Sequence, residues 1–171
     1  MIHINIGSNL VSNFGNKFQN IVIAINLLRN LNVKIKKISN FYETPSYPNK
    51  NLPKYVNIGV LIECNVDFQS LFKKFTYVEK KIGRIKSKKN DPRVCDIDII
   101  DFNGLVEQNK KIKLPHPRCH IRNFVLYPIK EIDPKWVHPT LKKDIDFLIN
   151  DLSQNSRIEI TRLRKSVIIN T

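Results

Sequence analysis

The sequence predicts an α+β fold, on three observations. Strand-period and helix-period apolar patterns follow one another in the order strand, helix, strand, strand, helix, strand. With 171 residues, 42% of them hydrophobic and 26% charged, the chain is long enough for one buried core and short for two ordinary ones. No internal repeat, low-complexity run or linker divides it, so residues 1–171 read as a single domain. The element order is that of a ferredoxin-like β-α-β-β-α-β core, a mainly antiparallel sheet with helices packed on it, here with an extra C-terminal helix.

The elements follow from residue spacing. Ile2, Ile4 and Ile6 alternate with His3 and Asn5, which is strand periodicity running into Gly7-Ser8-Asn9. Phe18, Ile21, Val22, Ile25 and Leu28 recur at helical spacing and predict a first helix of about 15 residues. Val33, Ile35 and Ile38 through Phe41-Tyr42 read as one strand, followed by the proline-rich loop Thr44 to Pro53. From Tyr55 to Cys64 the alternation puts Val56, Ile58, Val60, Ile62 and Cys64 on one face and Tyr55, Asn57 and Gly59 on an exposed one. Asp67 is the N-cap of a second helix striped by Phe68, Leu71, Phe72, Phe75, Val78 and Ile82, which ends at Gly83. A basic loop leads to a strand over Asp96 to Phe102, and Pro115-His116-Pro117-Arg118 must be loop. Leu141, Ile145, Leu148, Ile149 and Leu152 predict a third helix starting after Thr140, so residues 140–171 read as a C-terminal helix and a basic tail, frayed or ending in a strand.

Composition excludes several classes of function. No apolar run approaches the roughly 18 residues of a membrane span, and no basic region followed by an apolar block marks a signal peptide. Three cysteines without a CxxC pair make no disulfide framework, and a cytoplasmic location fits them best. A net charge of +14 points to an anionic partner or substrate. A chain rich in Lys, Asn and Ile throughout can also carry such an excess without functional meaning, so clustered charge matters more.

The strongest cluster runs from Gly83 to Asp98. Asp96 and Asp98 stand two apart on a strand, so both carboxylates share one face while Ile97 and Ile99 point into the core. Paired hard oxygen ligands suit Mg²⁺ shared with substrate phosphates; the plainer reading is an acidic edge strand. Lys80, Lys81, Arg84, Lys86, Lys88, Lys89 and Arg93 surround Asp91 just before the pair, as a nucleoside triphosphate would require, or as a solvated loop would show. His116, Arg118, His120 and Arg122 form a second cluster with phosphate-binding chemistry. His116, His120 and Cys119 also offer zinc ligands, but Pro117 breaks the helix that would align them. Tyr55 and Asn57 together suit a flat heterocycle held by stacking and edge hydrogen bonds, although cross-strand packing of Tyr55 explains it as well. No GxxxxGK[ST] is present, so there is no P-loop.

Taken in order, these residues resemble the 6-hydroxymethyl-7,8-dihydropterin pyrophosphokinase family of folate biosynthesis. The resemblance runs from Ile4 to about Pro139 through collinear blocks: Gly7-Ser8-Asn9-Leu10, Phe41-Tyr42-Glu43-Thr44-Pro45, Pro53-Lys54-Tyr55-Val56-Asn57, Val78-Glu79 before Gly83-Arg84, Pro92-Arg93-Val94-Cys95-Asp96-Ile97-Asp98-Ile99, Leu114-Pro115-His116-Pro117-Arg118, Arg122-Asn123-Phe124-Val125-Leu126 and Trp136-Val137-His138-Pro139. It implies an ATP-dependent diphosphokinase that moves an intact pyrophosphoryl group from ATP to the pterin hydroxymethyl and leaves AMP. It further implies that Asp96 and Asp98 ligate two Mg²⁺ ions and that Tyr55 and Phe124 sandwich the pterin, with Asn57, Thr44 and Pro45 reading its edge. Glu79, Ile99 and the Ile112–Lys113 backbone are then expected near the nucleoside, with Arg84, Lys86, Arg93, His116, Arg118 and Arg122 along the triphosphate, and Arg84 and Arg93 catalytic with the acids. A monomer acting on these small molecules, with no nucleic acid and no membrane, is the expectation.

Three residues depart from the family pattern. Lys86 stands where many members carry a second arginine, Asp91 replaces a small residue, and Asn90 or its neighbours lack an aromatic group; slow turnover is expected from this loop. Two rival readings stay open. An RNA-binding module could use the same sheet with Tyr55 exposed for stacking, although the RNP pattern is absent. A catalytically degraded pterin- or nucleotide-binding protein would fit Lys86 and Asp91.

Overall fold

The computed structural model describes residues 1–85, 87, 91–108 and 113–165; Lys86, Asn90 and Ile112 and the tail beyond 165 lie outside the described residues. Strand β1 (Ile2–Ser8) leads into helix α1 (Lys17–Asn30), then β2 (Lys34–Ile38), β3 (Tyr42–Thr44) and β4 (Tyr55–Glu63). Helix α2 (Phe68–Ile82), strand β5 (Asp96–Phe102) and the paired short strands β6 (Glu107–Gln108) and β7 (Lys113–Leu114) follow. Then come a 3-10 turn over Cys119–Ile121, α3 (Asn123–Ile132), α4 (Ile145–Asp151), α5 (Gln154–Ile158) and β8 (Thr161–Arg162).

The main sheet runs β5-β1-β4-β3-β8, and β2 also pairs with β4. All of these pairings are antiparallel. Local chemistry sets the ends of α2 as expected from the sequence. The Asp67 side chain accepts from the Ser70 N–H at 2.9 Å, and Gly83 closes α2 at φ 100°, a left-handed conformation in which a Cβ would be strained. Asn16 and Gln19 form a capping box on α1.

Helices cover both faces of the sheet. Ile4, Ile6, Val56, Ile58 and Val60 bury one face under Ile25 and Leu28 of α1 and Phe75 and Val78 of α2. On the other face α3 packs on β4, and Leu126, Ile129, Trp136, Ile145 and Ile149 form a second core with Ile100. The exposed face expected for β4 is therefore covered. Asn57 is 3% exposed and Gly59 is buried, and the base-stacking face of an RNA-binding sheet is occupied by α3. The element responsible was not expected from the sequence, although Val125, Ile129 and Ile132 carry helical spacing; Pro128 in the middle disguises it.

Two further expectations are corrected. The single strand from Val33 to Tyr42 is two strands, because Ser39 leaves the ladder: its N–H donates to Gly59 O and its hydroxyl oxygen accepts the Gly59 N–H. The third helix starts at Ile145, capped by Asp144, and not after Thr140. Leu141 is left 43% exposed, and Lys142 sits at φ 55°, which a continuous helix does not allow. The strand option for the basic tail is realised in β8.

The close approach of α3 to β4 needs Gly59. A Cβ there would lie 2.8 Å from Pro128 Cβ and 3.1 Å from its carbonyl carbon. Gly59→Ala is expected to cost about 1–3 kcal/mol of unfolding free energy in urea titration; an unchanged midpoint would show that α3 can shift freely.

Candidate active site

Strand register assembles the centre of the site. In β1, Gly7 pairs with Asp96 of β5 on one side and Asn57 of β4 on the other, and Asn5 pairs likewise with Asp98 and Gly59. Directly opposed residues share a face, so Asp96, Asp98, Asn5, Asn57 and Tyr55 all belong to the face that α3 covers. Gly7 leaves the space between Asp96 and Asn57 open. A Cβ on it would come 2.6 Å from Asn57 Oδ1.

Cations gather on the two acids from three directions. The end of α2 supplies Arg84, whose Nη1 is 2.7 Å from Asp96 Oδ1 and also pairs with Glu79. Arg93 reaches Asp96 Oδ2 at 3.2 Å. The loop before α3 brings Arg122 Nη1 to 3.7 Å and His116 Nε2 to 3.9 Å from Asp98 Oδ2. Glu79 Oε1 accepts the backbone N–H of Ile97 at 2.8 Å, pinning β5 between its two acids.

The electrostatics are strained by design of the strand. Burial and the charges of Asp96 and Asp98 push Glu79 up to about 7, despite its contacts with Ile97 and Arg84. Enclosure and the adjacent Asp96 push Asp98 up to about 6, against the pull of the three arginines. His116 is pushed down to about 4 by burial and by Arg122 and Arg118, so it is neutral. Its Nδ1 accepts the Arg118 N–H at 3.1 Å, which leaves the imidazole proton on Nε2, 3.9 Å from Asp98 Oδ2. Arg122 Nη1, 3.4 Å from the same nitrogen, is itself a donor and cannot accept that proton.

Beside this polar half lies a pocket edge fit for a flat ring. Asn5 and Asn57 amides meet at 3.3 Å. Turned over, the Asn5 amide gives up its donation to Asn57 and donates instead to the carbonyls of Phe124 at 3.0 Å and Ile58 at 3.1 Å. In the orientation shown, Asn57 Nδ2 is buried without a partner among the described residues. An unpaired buried amide is costly, and a ligand edge would relieve it. Thr44 is buried opposite Tyr55 in the β3–β4 ladder, with Pro45 next to it. The Tyr55 hydroxyl donates to Asp91 O at 3.4 Å. Phe124 opens α3, with the Arg122 guanidinium 5.3 Å above its ring.

The sequence-derived set is thus largely brought together. Lys113 and Arg118 are exposed at its margin, Ile99 is buried in the main core, and Lys86 and Ile112 lie outside the described residues. Sequence reasoning gave Asn9 and Asn5 no role. Asn9 Oδ1 accepts the Arg93 N–H at 2.7 Å, its N–H donates to Arg93 O at 3.1 Å, and its Nδ2 donates to Pro53 O at 3.0 Å. It therefore joins the Arg93 segment to the loop after Pro45. A buried asparagine directly after a strand was the available signal.

The zinc alternative loses its geometry. Cys119 and His120 cluster with His138, their donor atoms within 4.8 Å of one another, and His116 is not part of the group. His138 Nδ1 accepts backbone N–H groups of Thr140 at 3.2 Å and Leu141 at 3.1 Å. Its proton therefore sits on Nε2, 3.4 Å from Cys119 Sγ. Burial pushes that thiol up to about 12. A metal would need the reverse, a free nitrogen and a thiolate.

Comparison with known proteins places this geometry in context. Residues 3–134 match the sequence profile of 7,8-dihydro-6-hydroxymethylpterin-pyrophosphokinase (HPPK). A 2-amino-4-hydroxy-6-hydroxymethyldihydropteridine pyrophosphokinase of Aquifex aeolicus is 35% identical over 136 residues, covering 80% of this chain and 84% of that protein. The folic acid synthesis protein FOL1 of Dictyostelium discoideum is 34% identical over 142 residues, but these span only 22% of that longer protein. A Plasmodium falciparum HPPK-DHPS structure with pteroate is similar in fold, with a TM-score of 0.72 at 15% identity, covering 94% of this chain and 47% of that one.

The raised Asp98 pKa has a stability consequence with a definite sign. The folded state holds the Asp98 proton more tightly than the unfolded chain, so ionisation weakens the fold as pH rises from about 4, the usual carboxyl value, to about 6. Asp98→Asn is expected to stabilise the metal-free protein above pH 6 by on the order of 1 kcal/mol, discounted for partial exposure. The gain should vanish near pH 4. Urea titrations across that range measure it, and a gain independent of pH would refute the assignment.

Proposed function

Because the chain belongs to the 7,8-dihydro-6-hydroxymethylpterin-pyrophosphokinase family, we propose that its site runs the family reaction with the residues assembled on β1, β4, β5 and the start of α3. These enzymes transfer pyrophosphate from ATP to the hydroxymethyl group of 6-hydroxymethyl-7,8-dihydropterin in folate synthesis, and release AMP. The observation that carries the reading is the row Asp96, Gly7, Asn57: a pair of acids and a buried amide with an open gap between them.

Tyr55 and Phe124 hold the pterin ring between them, and Asn57, Thr44 and Pro45 read its edge. The unpartnered Asn57 amide supports this placement. Arg84, Arg93, Arg118, Arg122 and Lys86 carry the triphosphate, and Glu79, Ile99 and Lys113 border the nucleoside. Neutral His116 donates from Nε2 to a phosphate oxygen. The hydroxymethyl oxygen forms its bond to the β-phosphorus as the bond from that phosphorus to the AMP oxygen breaks, and the hydroxyl proton passes to water. Alignment and charge neutralisation are what such a transfer asks of a protein.

Asp96 and Asp98 fit a divalent cation: both are hard oxygen donors on one rigid strand, and among the described residues the cationic nitrogen nearest Asp98 is Arg122 Nη1, 3.7 Å away. We assign them two Mg²⁺ ions. Bound there, the metal would offset the charge of the acids and of the phosphates. Arg84 and Arg93, which neutralise Asp96 in this structure, are then free to turn to the triphosphate. The same proposal takes the protein to act as a monomer, with 1–171 one catalytic domain in the cytoplasm. Among the described residues no helix is long and apolar enough to cross a membrane.

Incubation with ATP, Mg²⁺ and 6-hydroxymethyl-7,8-dihydropterin is expected to give AMP and pterin diphosphate in equal amounts. ADP in place of AMP would refute the transfer chemistry, and pterin binding without turnover would favour a degraded binding protein. Asp98→Ala should abolish both products. Tyr55→Ala should raise the pterin KM about tenfold, the loss of one aromatic stack, and the ATP KM less than twofold; equal losses would remove Tyr55 from the pterin pocket.

A further inference from the structure

The family match ends at residue 134, yet the chain beyond α4 returns to the site. Three separate contacts bring it there. Glu159, just after α5, pairs with Lys50 in the loop between β3 and β4. The Ser156 carbonyl accepts from Asn123 Nδ2 at 2.6 Å, one residue before Phe124. Strand β8 adds to the outer edge of β3, with Arg162 opposite Tyr42 and Thr161 opposite Glu43, so the next residue of β3 is Thr44.

The β8 contact is reinforced on both sides. Leu163 N–H donates to Phe41 O at 2.8 Å, and Phe41 N–H donates to Lys165 O at 3.3 Å. Arg162 reaches both oxygens of Glu131, from Nε and Nη2, at 3.3 Å each. The same carboxylate accepts the Tyr42 hydroxyl at 2.6 Å and the Asn40 N–H at 3.0 Å. One carboxylate on α3 thus holds β3 and the C-terminal segment together.

We propose that residues 153–165 are a clamp that positions the pterin-binding elements, a role that rests on the reading of this pocket as a pterin site. The physical reason is the shortness of what they hold. Strand β3 has three residues, too few to keep an edge ordered alone, and the loop after it must be ordered before Thr44 and Pro45 can present fixed groups. Ordering a loop upon binding lowers affinity, and a segment that orders it beforehand restores it. Apart from Lys165 over the Phe18 ring and Leu163 packed on the main core, the contacts of the clamp described above go to Phe41 and β3, the loop after it and α3. Arg84 and Arg93 are held instead by Glu79, Asp96 and Asn9.

The test uses the full-length chain carrying Arg162→Ala and Leu163→Pro, which remove the guanidinium contact and the N–H donor to Phe41. Dissociation constants are measured for Mg²⁺-ATP, and for 6-hydroxymethyl-7,8-dihydropterin with a non-hydrolysable ATP analogue. Pterin affinity is expected to fall about tenfold and ATP affinity less than twofold, in a protein whose circular dichroism is unchanged. A lower melting temperature with both affinities kept, or equal losses of both, overturns the clamp.

Should that variant unfold, the exposed Lys50–Glu159 pair decides. Lys50→Glu should weaken pterin binding two- to threefold, and Lys50→Glu with Glu159→Lys should restore it; no loss, or no restoration, overturns the proposal. Wild-type protein that makes AMP and pterin diphosphate while the variants bind pterin normally sinks the clamp alone. Wild-type protein that neither binds pterin nor makes AMP sinks the reading of the site and the clamp with it.

Discussion

The register of β1 between β5 and β4 is the constraint from which the rest of the site follows. Because Gly7 faces Asp96 on one side and Asn57 on the other, one open backbone position separates an acidic strand from an amide-bearing one. A slip of one residue would turn Asp96 and Asp98 toward the aliphatic layer of α1 and α2 and bring Ile97 and Ile99 into the site. The alternation of Ile2, Ile4 and Ile6 with polar or small residues is what forbids that slip. Binding chemistry on one face is therefore enforced by hydrophobic burial on the other.

The price of that arrangement is electrostatic. Three acids, Glu79, Asp96 and Asp98, converge on the start of β5, and two of them are pushed well above the ordinary carboxylate range. Arg84, Arg93 and Arg122 offset part of this, and the Ile97 N–H supports Glu79. Such a cluster is unfavourable for an empty fold and suited to cations and phosphates. The same three arginines serve both states, neutralising the acids here and available to phosphate oxygens when other positive charge takes their place.

The second face of the sheet was the part hidden from sequence reasoning. Helix α3 approaches β4 through the contact of Pro128 with Gly59, and α4 packs on α3. With α3 in place, Arg122 and Phe124 stand over the sheet and Glu131 reaches β3 and β8. A helix that looks like loop from its proline thus carries one wall of the pocket and one anchor of the C-terminal segment.

Apolar periodicity and caps were sufficient, in sequence alone, to determine the succession of β1, α1, β4, α2 and β5, the limits of β1, α2 and β5, and the acidic pair on one strand face, because each depends on residues within a turn or two of one another. The resemblance of the collinear motifs supplied the family, which the profile match bears out. Tertiary structure alone decided what covers the far side of β4, that His138 completes a cluster with Cys119 and His120 in a tautomer unfit for metal, and that Asn9 holds Arg93. It also decided that the tail closes on β3. These are contacts between residues far apart in the chain, such as Phe41 with Lys165, 124 positions away. No local pattern encodes them, since each partner's preference is satisfied only once the intervening chain has packed.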